Sequence, residues 1–319
     1  MAHADNKADL ARFLSQQLIQ KAPPDKIIVA AGGFSNDERV EASDASIDVE
    51  ALEGKHEEAD TRVILHCTKI ESASVVVAAR DTDILIMLIS FFHKMNCQKI
   101  WMKAGTAKKR KFIPVHAIVE HLQMDPGVLK LLPGFHALTG SDTTSYLAGD
   151  SKKTCYDVFK KHHHLQGLGD GPTLCAETVH NAEQFVCRVY GSLAANSIDE
   201  VRSNLFVKGL SMDQLPPTRD ALLYHIRRSH YQAMVWRQAD LQYPVLPPPE
   251  TMGWKMEGTL LIPELMSLPP VPKACEEFVS CTCTTGCKST HCGCRKSNNV
   301  CTASCKCRKA GETCMNMSS

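Results

Sequence analysis

Ten of the fifteen cysteines in this 319-residue chain lie between Cys275 and Cys314. After Cys275 they run as Cys281-x-Cys283, Cys287, Cys292-x-Cys294, Cys301, Cys305-x-Cys307 and Cys314. A segment so poor in large apolar residues must fold around disulfides or metal. Disulfides need an oxidising compartment, and nothing at the N-terminus reads as an export signal. Met1–Lys21 has the pattern of an amphipathic helix (Leu10, Phe13, Leu14, Leu18, Ile19) closed by Pro23 and Pro24. It carries acidic residues and lacks the apolar stretch of a leader peptide. Zinc takes four thiolates in a tetrahedron, so about three ions need about twelve Zn–S bonds, which nine thiolates supply if three of them bridge. Segment 275–319 is therefore expected to be a structural zinc module. Its ligands would be Cys281, Cys283, Cys287, Cys292, Cys294, Cys301, Cys305, Cys307 and Cys314, with Cys275 in reserve.

This order of C-x-C pairs and single cysteines resembles the tesmin/TSO1-like CXC domain, with Cys314 a few residues further out than that pattern places it. Some members of that family insert an aromatic side chain, next to the central C-x-C, into the DNA minor groove; the matching place here holds His291. Lys288, Arg295, Lys296, Lys306, Arg308 and Lys309 could contact phosphates, which gives affinity without sequence readout. Nine thiolates and three zinc ions sum to about −3, offsetting much of that charge. A structural or protein-docking role is the alternative.

The other five cysteines (Cys67, Cys97, Cys155, Cys175, Cys187) are scattered among apolar neighbours and are expected to pack as small hydrophobes. The formal net charge of +1 gives no global field that would draw the chain to nucleic acid or membrane. The longest apolar run, Ile84–Phe92, is about half of a membrane span.

Upstream of the cysteines, short β-branched runs alternate with helical patterns. Ile27–Ala31, Val75–Ala79, Lys99–Lys103 and Lys111–Ile113 read as strands, with a polar, acidic loop at Ser35–Gly54. Glu57–Ile70, Asp83–Phe92 and Pro114–Leu122 read as helices. Such alternation predicts an α/β fold, a mainly parallel sheet flanked by helices, over 1–207. Segment 208–274 reads as a helix (Thr218–Gln238) followed by a proline-rich linker containing Pro244, Pro247 and Pro269.

Five acids stand at telling places. Glu58-x-Asp60 opens a helix, Asp81-x-Asp83 follows the strand Val75–Ala79, and Asp142 sits in Gly140-Ser141-Asp142. Groups just past the carboxyl ends of parallel strands converge on one crevice, where clustered carboxylates call for a hard divalent cation such as Mg²⁺ or Mn²⁺. Taken singly, each acid also has an ordinary role, in a first helical turn or as an N-cap.

Their order resembles the flap-endonuclease/XPG branch of the PIN-like nuclease superfamily, with the C-terminal half alone represented over roughly Glu57–His164. In that family an E-x-E or E-x-D pair, a D-x-D and a G-[CS]-D hold the catalytic metals. The resemblance therefore implies catalytic roles for Glu58, Asp60, Asp81, Asp83 and Asp142. The family's helix–hairpin–helix turn, which grips the DNA backbone, corresponds to Gly149-Asp150-Ser151-Lys152-Lys153 and implies nucleic-acid contacts at Lys152 and Lys153. Ser151 and Lys152 replace the turn's second glycine and its proline, and the acids of the family's N-terminal half have no counterpart here. Lys103 and the run Lys108–Lys111 add positive charge, the latter readable as a nuclear-import signal or a solvated hairpin. His162–His164 reads as a polar helix end. The sequence thus predicts an intracellular, preferentially nuclear protein. It would be a metal-dependent nuclease of mobile-element ancestry that binds DNA or RNA and no membrane, or a catalytically inactive nucleic-acid-binding scaffold.

Overall fold

The computed structural model describes residues 4–162, 165–211, 213–268, 280–284, 286–301, 305–309 and 314–316. Cys275, His163 and His164 lie outside the described residues, as do the side chains of Arg308 and Lys309. The chain divides into two compact units, Met1–Leu265 and Met266–Ser319. No helix among the described residues is long and apolar enough to cross a membrane.

The first unit begins with α1 (Ala4–Gln20) and a small hairpin of β1 (Val29–Ala31) and β2 (Val40–Ala42). Helix α2 (Ala59–Lys69) buries Thr61, Ile64, Leu65 and Cys67, one face of its 3.6-residue period. It leads into β3 (Ser74–Ala78) and then α3 (Thr82–Phe91), where Asp81 caps the helix by accepting from the Asp83 amide at 2.9 Å. Strand β4 (Lys99–Gly105) pairs parallel with β3, and β5 (Arg110–Pro114) pairs antiparallel with β4.

The sheet is therefore mixed and small, not mainly parallel. The reason is local. Gly105 at φ +86° and paired Thr106–Lys109 backbone hydrogen bonds close a tight turn, and strands joined by so short a turn can only run antiparallel. After β5 the fold is built mostly from helices: α4 (Val115–Leu122), α5 (Pro126–Leu129), α6 (Leu132–Leu138), α7 (Lys152–Lys161), α8 (Ala176–Val189), α9 (Ile198–Val207) and α10 (Arg219–Arg237). The hairpin β6 (Trp254–Glu257) and β7 (Leu260–Pro263) completes the unit.

The compact unit continues past residue 207 to Leu265, so the helix grouped with the linker is α10, a core element. Ile226, Ala233 and Trp236 on α10 are buried against α6, and His225, Arg228, Ser229, His230 and Gln232 are buried beside them with hydrogen-bond partners. His225 Nε2 donates to Leu138 O at 2.8 Å, and the Arg228 guanidinium donates to the carbonyls of Gly253 and Glu264. His230 accepts from the Gly169 amide at 2.9 Å and donates to Gly171 O at 2.7 Å, a pairing that only one neutral tautomer can make. Burial lowers the pKa of His230 in the same sense.

Cys67, Cys155 and Cys187 are buried, as expected for core thiols. Burial pushes their pKa up, to about 12, 11 and 11. Cys175 departs from that expectation: it is exposed and caps α8 by accepting from the Thr178 amide.

Candidate metal centres

Among the described residues of the second unit the buried hydrophobic ones are all cysteines: Cys281, Cys287, Cys292, Cys294, Cys301, Cys305, Cys307 and Cys314, with Cys283 partly buried against them. Two short helical turns, α11 (Gly293–Lys296) and α12 (Lys306–Lys309), carry Cys294 and Cys307. The sulfurs stand 3.6 Å apart for Cys281 and Cys287, 3.8 Å for Cys281 and Cys301, and 3.6 Å for Cys294 and Cys305. Disulfide sulfurs sit about 2.05 Å apart, so these thiols are unbridged. A ZnS4 tetrahedron with bonds of about 2.3 Å has edges of about 3.8 Å, so the sulfurs already stand at tetrahedral spacing.

Three tetrads each bring four sulfurs within 4.8 Å of one another: Cys281, Cys287, Cys292, Cys301; Cys281, Cys294, Cys301, Cys305; and Cys287, Cys301, Cys307, Cys314. They overlap, and Cys301 belongs to all three. The cluster is thus compatible with a zinc module, as its spacing predicted.

Amides stabilise the sulfurs. The Asn316 side chain donates to Cys301 Sγ at 3.4 Å and to Asn299 O at 2.8 Å, and the Cys281 amide donates to Cys305 Sγ at 3.4 Å. Such outer donors orient metal ligands and moderate their charge. Burial pushes the Cys292 thiol up, but the Arg295 amide and neighbouring cysteines outweigh it and hold it down at about 6. Cys287 and Cys301 are driven upward by burial first, then by neighbouring thiols. Arg295 is not a free phosphate contact. Its guanidinium donates to Cys287 O at 3.1 Å and to Met315 O at 2.9 Å, tying the module's turns together. Lys288, His291 and Lys296 are exposed.

The five candidate acids of the first unit come from three places in the chain. Glu58 precedes α2 and makes no side-chain cap; its carboxylate accepts instead from Gln232 Nε2 at 3.1 Å and Trp236 Nε1 at 3.3 Å, both on α10. Asp60 lies in the first turn of α2. Asp81 and Asp83 follow β3, and Asp142 lies in the loop after α6. Asp83 is buried, and the Nε2–H of buried His136 on α6 donates to it at 2.7 Å. The Asp142 loop is tied to the same group, because Thr143 Oγ1 donates to Gln232 Oε1 at 2.8 Å.

The electrostatics follow from this convergence. Burial, then the charges of Asp81, Asp83 and Asp142, raise the pKa of Asp60. Burial raises that of Glu58, with Asp60 and Asp83 adding to it, while hydrogen bonds from Gln232 and Trp236 oppose the shift. The donors are hard carboxylate oxygens that suit Mg²⁺ or Mn²⁺. Among the described residues, however, no three of them bring oxygens within 4.8 Å of one another.

A pH dependence follows. Both raised carboxyls contribute stability that is fully present below about pH 4 and lost as pH rises through their raised folded values. Asp60→Asn therefore raises the melting temperature of the first unit by a few degrees at pH 7.5, and the gain shrinks toward pH 4, as calorimetry will show. A variant less stable than wild type at pH 7.5 contradicts the crowding of charges.

Lys152 and Lys153 open α7, whose cap is Ser151 accepting from the Thr154 amide. Lys152 Nζ folds back to Gly140 O at 2.5 Å and feels Asp83, while Lys153 is exposed. Sequence pattern does not mark His136, Gln232, Trp236 or Asn316. The only signal for His136 is a lone titratable residue in the run Leu131–Leu138.

No family profile, curated protein or solved structure matches this chain. Fold and sites together define an α/β unit with a small mixed sheet, followed by a cysteine-rich unit that can bind zinc.

Proposed function

We propose that this chain is a metal-dependent phosphodiesterase acting on nucleic acid, carrying a three-zinc thiolate module. What carries the first part is the electrostatic coupling that links Asp60 to Asp81, Asp83 and Asp142, and Glu58 to Asp60 and Asp83, across the start of α2, the β3–α3 turn and the loop after α6. Repelling carboxylates held together without a cation are a standing cost, and a function explains their retention. Asp60, Asp81, Asp83 and Asp142 would hold Mg²⁺ or Mn²⁺, with Glu58 completing the set. Such an ion supplies an activated water and stabilises the leaving oxygen. The chain's own residues fix the donors: Gln232 and Trp236 orient Glu58, His136 orients Asp83, and Thr143 ties the Asp142 loop to Gln232. Lys152 lies near Asp83 with its positive charge.

For the zinc module, the overlap of the three tetrads supports a shared-ligand assignment. Cys283 packs against the same cluster and is assigned here as a ligand. Taking Cys301's place in the first tetrad, it leaves Cys281, Cys287 and Cys301 each shared by two ions and the other six thiolates bound to one. Nine ligands then satisfy about three tetrahedral ions.

The reading is tested by incubating zinc-loaded full-length protein with branched and single-stranded DNA, with and without Mn²⁺, beside an Asp81→Ala/Asp83→Ala variant. Omission of Mn²⁺, not chelation, is the control, because a chelator also strips the thiolates. Cleavage that needs Mn²⁺ and drops at least about a hundredfold in the variant supports the phosphodiesterase. A second reading, a nucleic-acid-binding scaffold without catalysis, is favoured by the spread of the carboxylate oxygens and by the commitment of Asp83 to His136. Binding without cleavage selects it.

A further inference from the structure

The three-stranded sheet of β3, β4 and β5 has two unlike faces. Val77, Ile100 and Met102 point inward and are buried against the helices. The alternate positions point to solvent: Val76 on β3, Lys99, Trp101 and Lys103 on β4, and Arg110 and Phe112 on β5. Register places these residues side by side, with Val76 beside Trp101, Lys103 beside Phe112 and Gly105 beside Arg110. Phe112 is 52% exposed and Val76 56%, while Trp101 is half-buried with its edge against His116. An exposed aromatic ring and valine beside a half-buried tryptophan on one sheet face are costly in water unless something covers them.

Charge indicates what covers it. Not one residue of β3, β4 or β5 is acidic. Lys99, Lys103 and Arg110 are exposed on this face, and among the described residues none of them has an ion-pair partner. Beyond the aromatics the face continues into a cleft of about 440 Å³ lined by Arg80, Lys103, Thr106 and Arg110, with no acid in its wall. Arg80 in this wall is the residue immediately before Asp81, the cap of α3.

We propose that this sheet face is a binding platform for single-stranded nucleic acid. Bases stack on Phe112 and Trp101, and phosphates lie along Lys99, Lys103, Arg110 and Arg80, which leads the strand toward Asp81 and Asp83. Aromatic rings on a sheet flanked by cations suit an unpaired strand, whose bases are free to stack, better than a duplex. The proposal deepens the phosphodiesterase reading by naming its substrate as an unpaired strand, and it rests on that reading only for the direction in which the strand runs.

The test is fluorescence anisotropy of a labelled oligo-dT with zinc-loaded full-length protein, without Mn²⁺, over a series of salt concentrations. Phe112→Ala weakens binding about tenfold through lost stacking, and Phe112→Trp keeps it. Arg80→Ala/Lys103→Ala/Arg110→Ala lowers the slope of log affinity against log salt by about 2, at roughly 0.7 per phosphate contact. All these side chains lie at the surface, and unchanged circular dichroism checks that the variants fold. Wild type that does not bind, or variants with wild-type affinity and salt slope, overturns the platform. So does a Phe112→Ala variant whose sole change is loss of self-association in sedimentation. The outcomes separate from those of the cleavage assay: protein that binds here and never cleaves with Mn²⁺ refutes the phosphodiesterase and keeps the platform, whereas cleavage by protein whose platform variants bind normally does the reverse.

Discussion

Stripping zinc with a strong chelator unfolds the segment Cys281–Cys314 while the first unit keeps its own thermal transition. Among the described residues of the second unit, the buried hydrophobic ones are cysteines, with no buried aliphatic or aromatic residue beside them. Without a dication the sulfurs lose the attraction that holds them at 3.6–3.8 Å. Structural zinc sites of this chemistry contribute on the order of 10–16 kcal/mol each in small peptides near neutral pH. Folding and metal binding are then one event. Two-dimensional NMR will show the module's amide signals collapsing into the unfolded range on chelation and returning with zinc. Single substitutions grade the effect. In the proposed assignment Cys283→Ser touches one ion and Cys301→Ser two, so native mass spectrometry should find the larger zinc deficit in Cys301→Ser. Equal deficits contradict the sharing, and a module that stays folded without metal contradicts its metal dependence.

Splitting the buried Asp83–His136 pair gives the second large effect. His136→Ala removes a donor to Asp83 Oδ1 and leaves a carboxylate at a position 8% exposed to solvent. It also removes the imidazole that packs 5.5 Å from the Trp236 ring. Leaving a buried carboxylate without its hydrogen-bond donor costs about 3 kcal/mol, roughly 6–12 °C in the melting temperature of a unit this size. Asp83→Asn keeps an oxygen that accepts from His136 and costs far less, although in the proposed site it removes a metal ligand. Thermal melts of the two variants therefore rank oppositely to their cleavage activities if His136→Ala retains partial turnover. Equal stability losses mean that the pair does not bear on stability as drawn.

Much of this architecture is legible in the chain itself, and the rest is hidden for definable reasons. The helix read at Glu57–Ile70 is Ala59–Lys69, and the strand read at Val75–Ala79 is Ser74–Ala78, because strong periodicity and flanking polar residues mark both. The clustering of the cysteines follows from their spacing, whereas which sulfurs stand together in tetrads is tertiary. The mixed sheet was not visible, because strand direction depends on the turn at Thr106–Lys109, whose lysines read equally well as a charge signal. The helix read at Thr218–Gln238 is α10 (Arg219–Arg237), but its place in the core is not legible, because His225, Arg228, Ser229, His230 and Gln232 interrupt its apolar residues. Those groups are buried, and loop carbonyls and amides from distant segments satisfy most of their hydrogen bonds. That pairing is tertiary and has no local signature. For the same reason Gln232 and Trp236, 174 and 178 residues from the carboxylate they orient, escape any reading by motif.

Manganese titration of zinc-loaded full-length protein, followed by electron paramagnetic resonance, tests the proposed acidic metal site most directly. Thiolates do not favour Mn²⁺, whereas carboxylates do, so the zinc module does not compete for the probe. Wild type is expected to bind Mn²⁺ and broaden its signal, and Asp60→Asn/Asp83→Asn to leave the ion free in solution. Manganese that stays free with the wild type, or binds the double variant as well as the wild type, contradicts the assignment of Asp60, Asp81, Asp83 and Asp142 as its ligands.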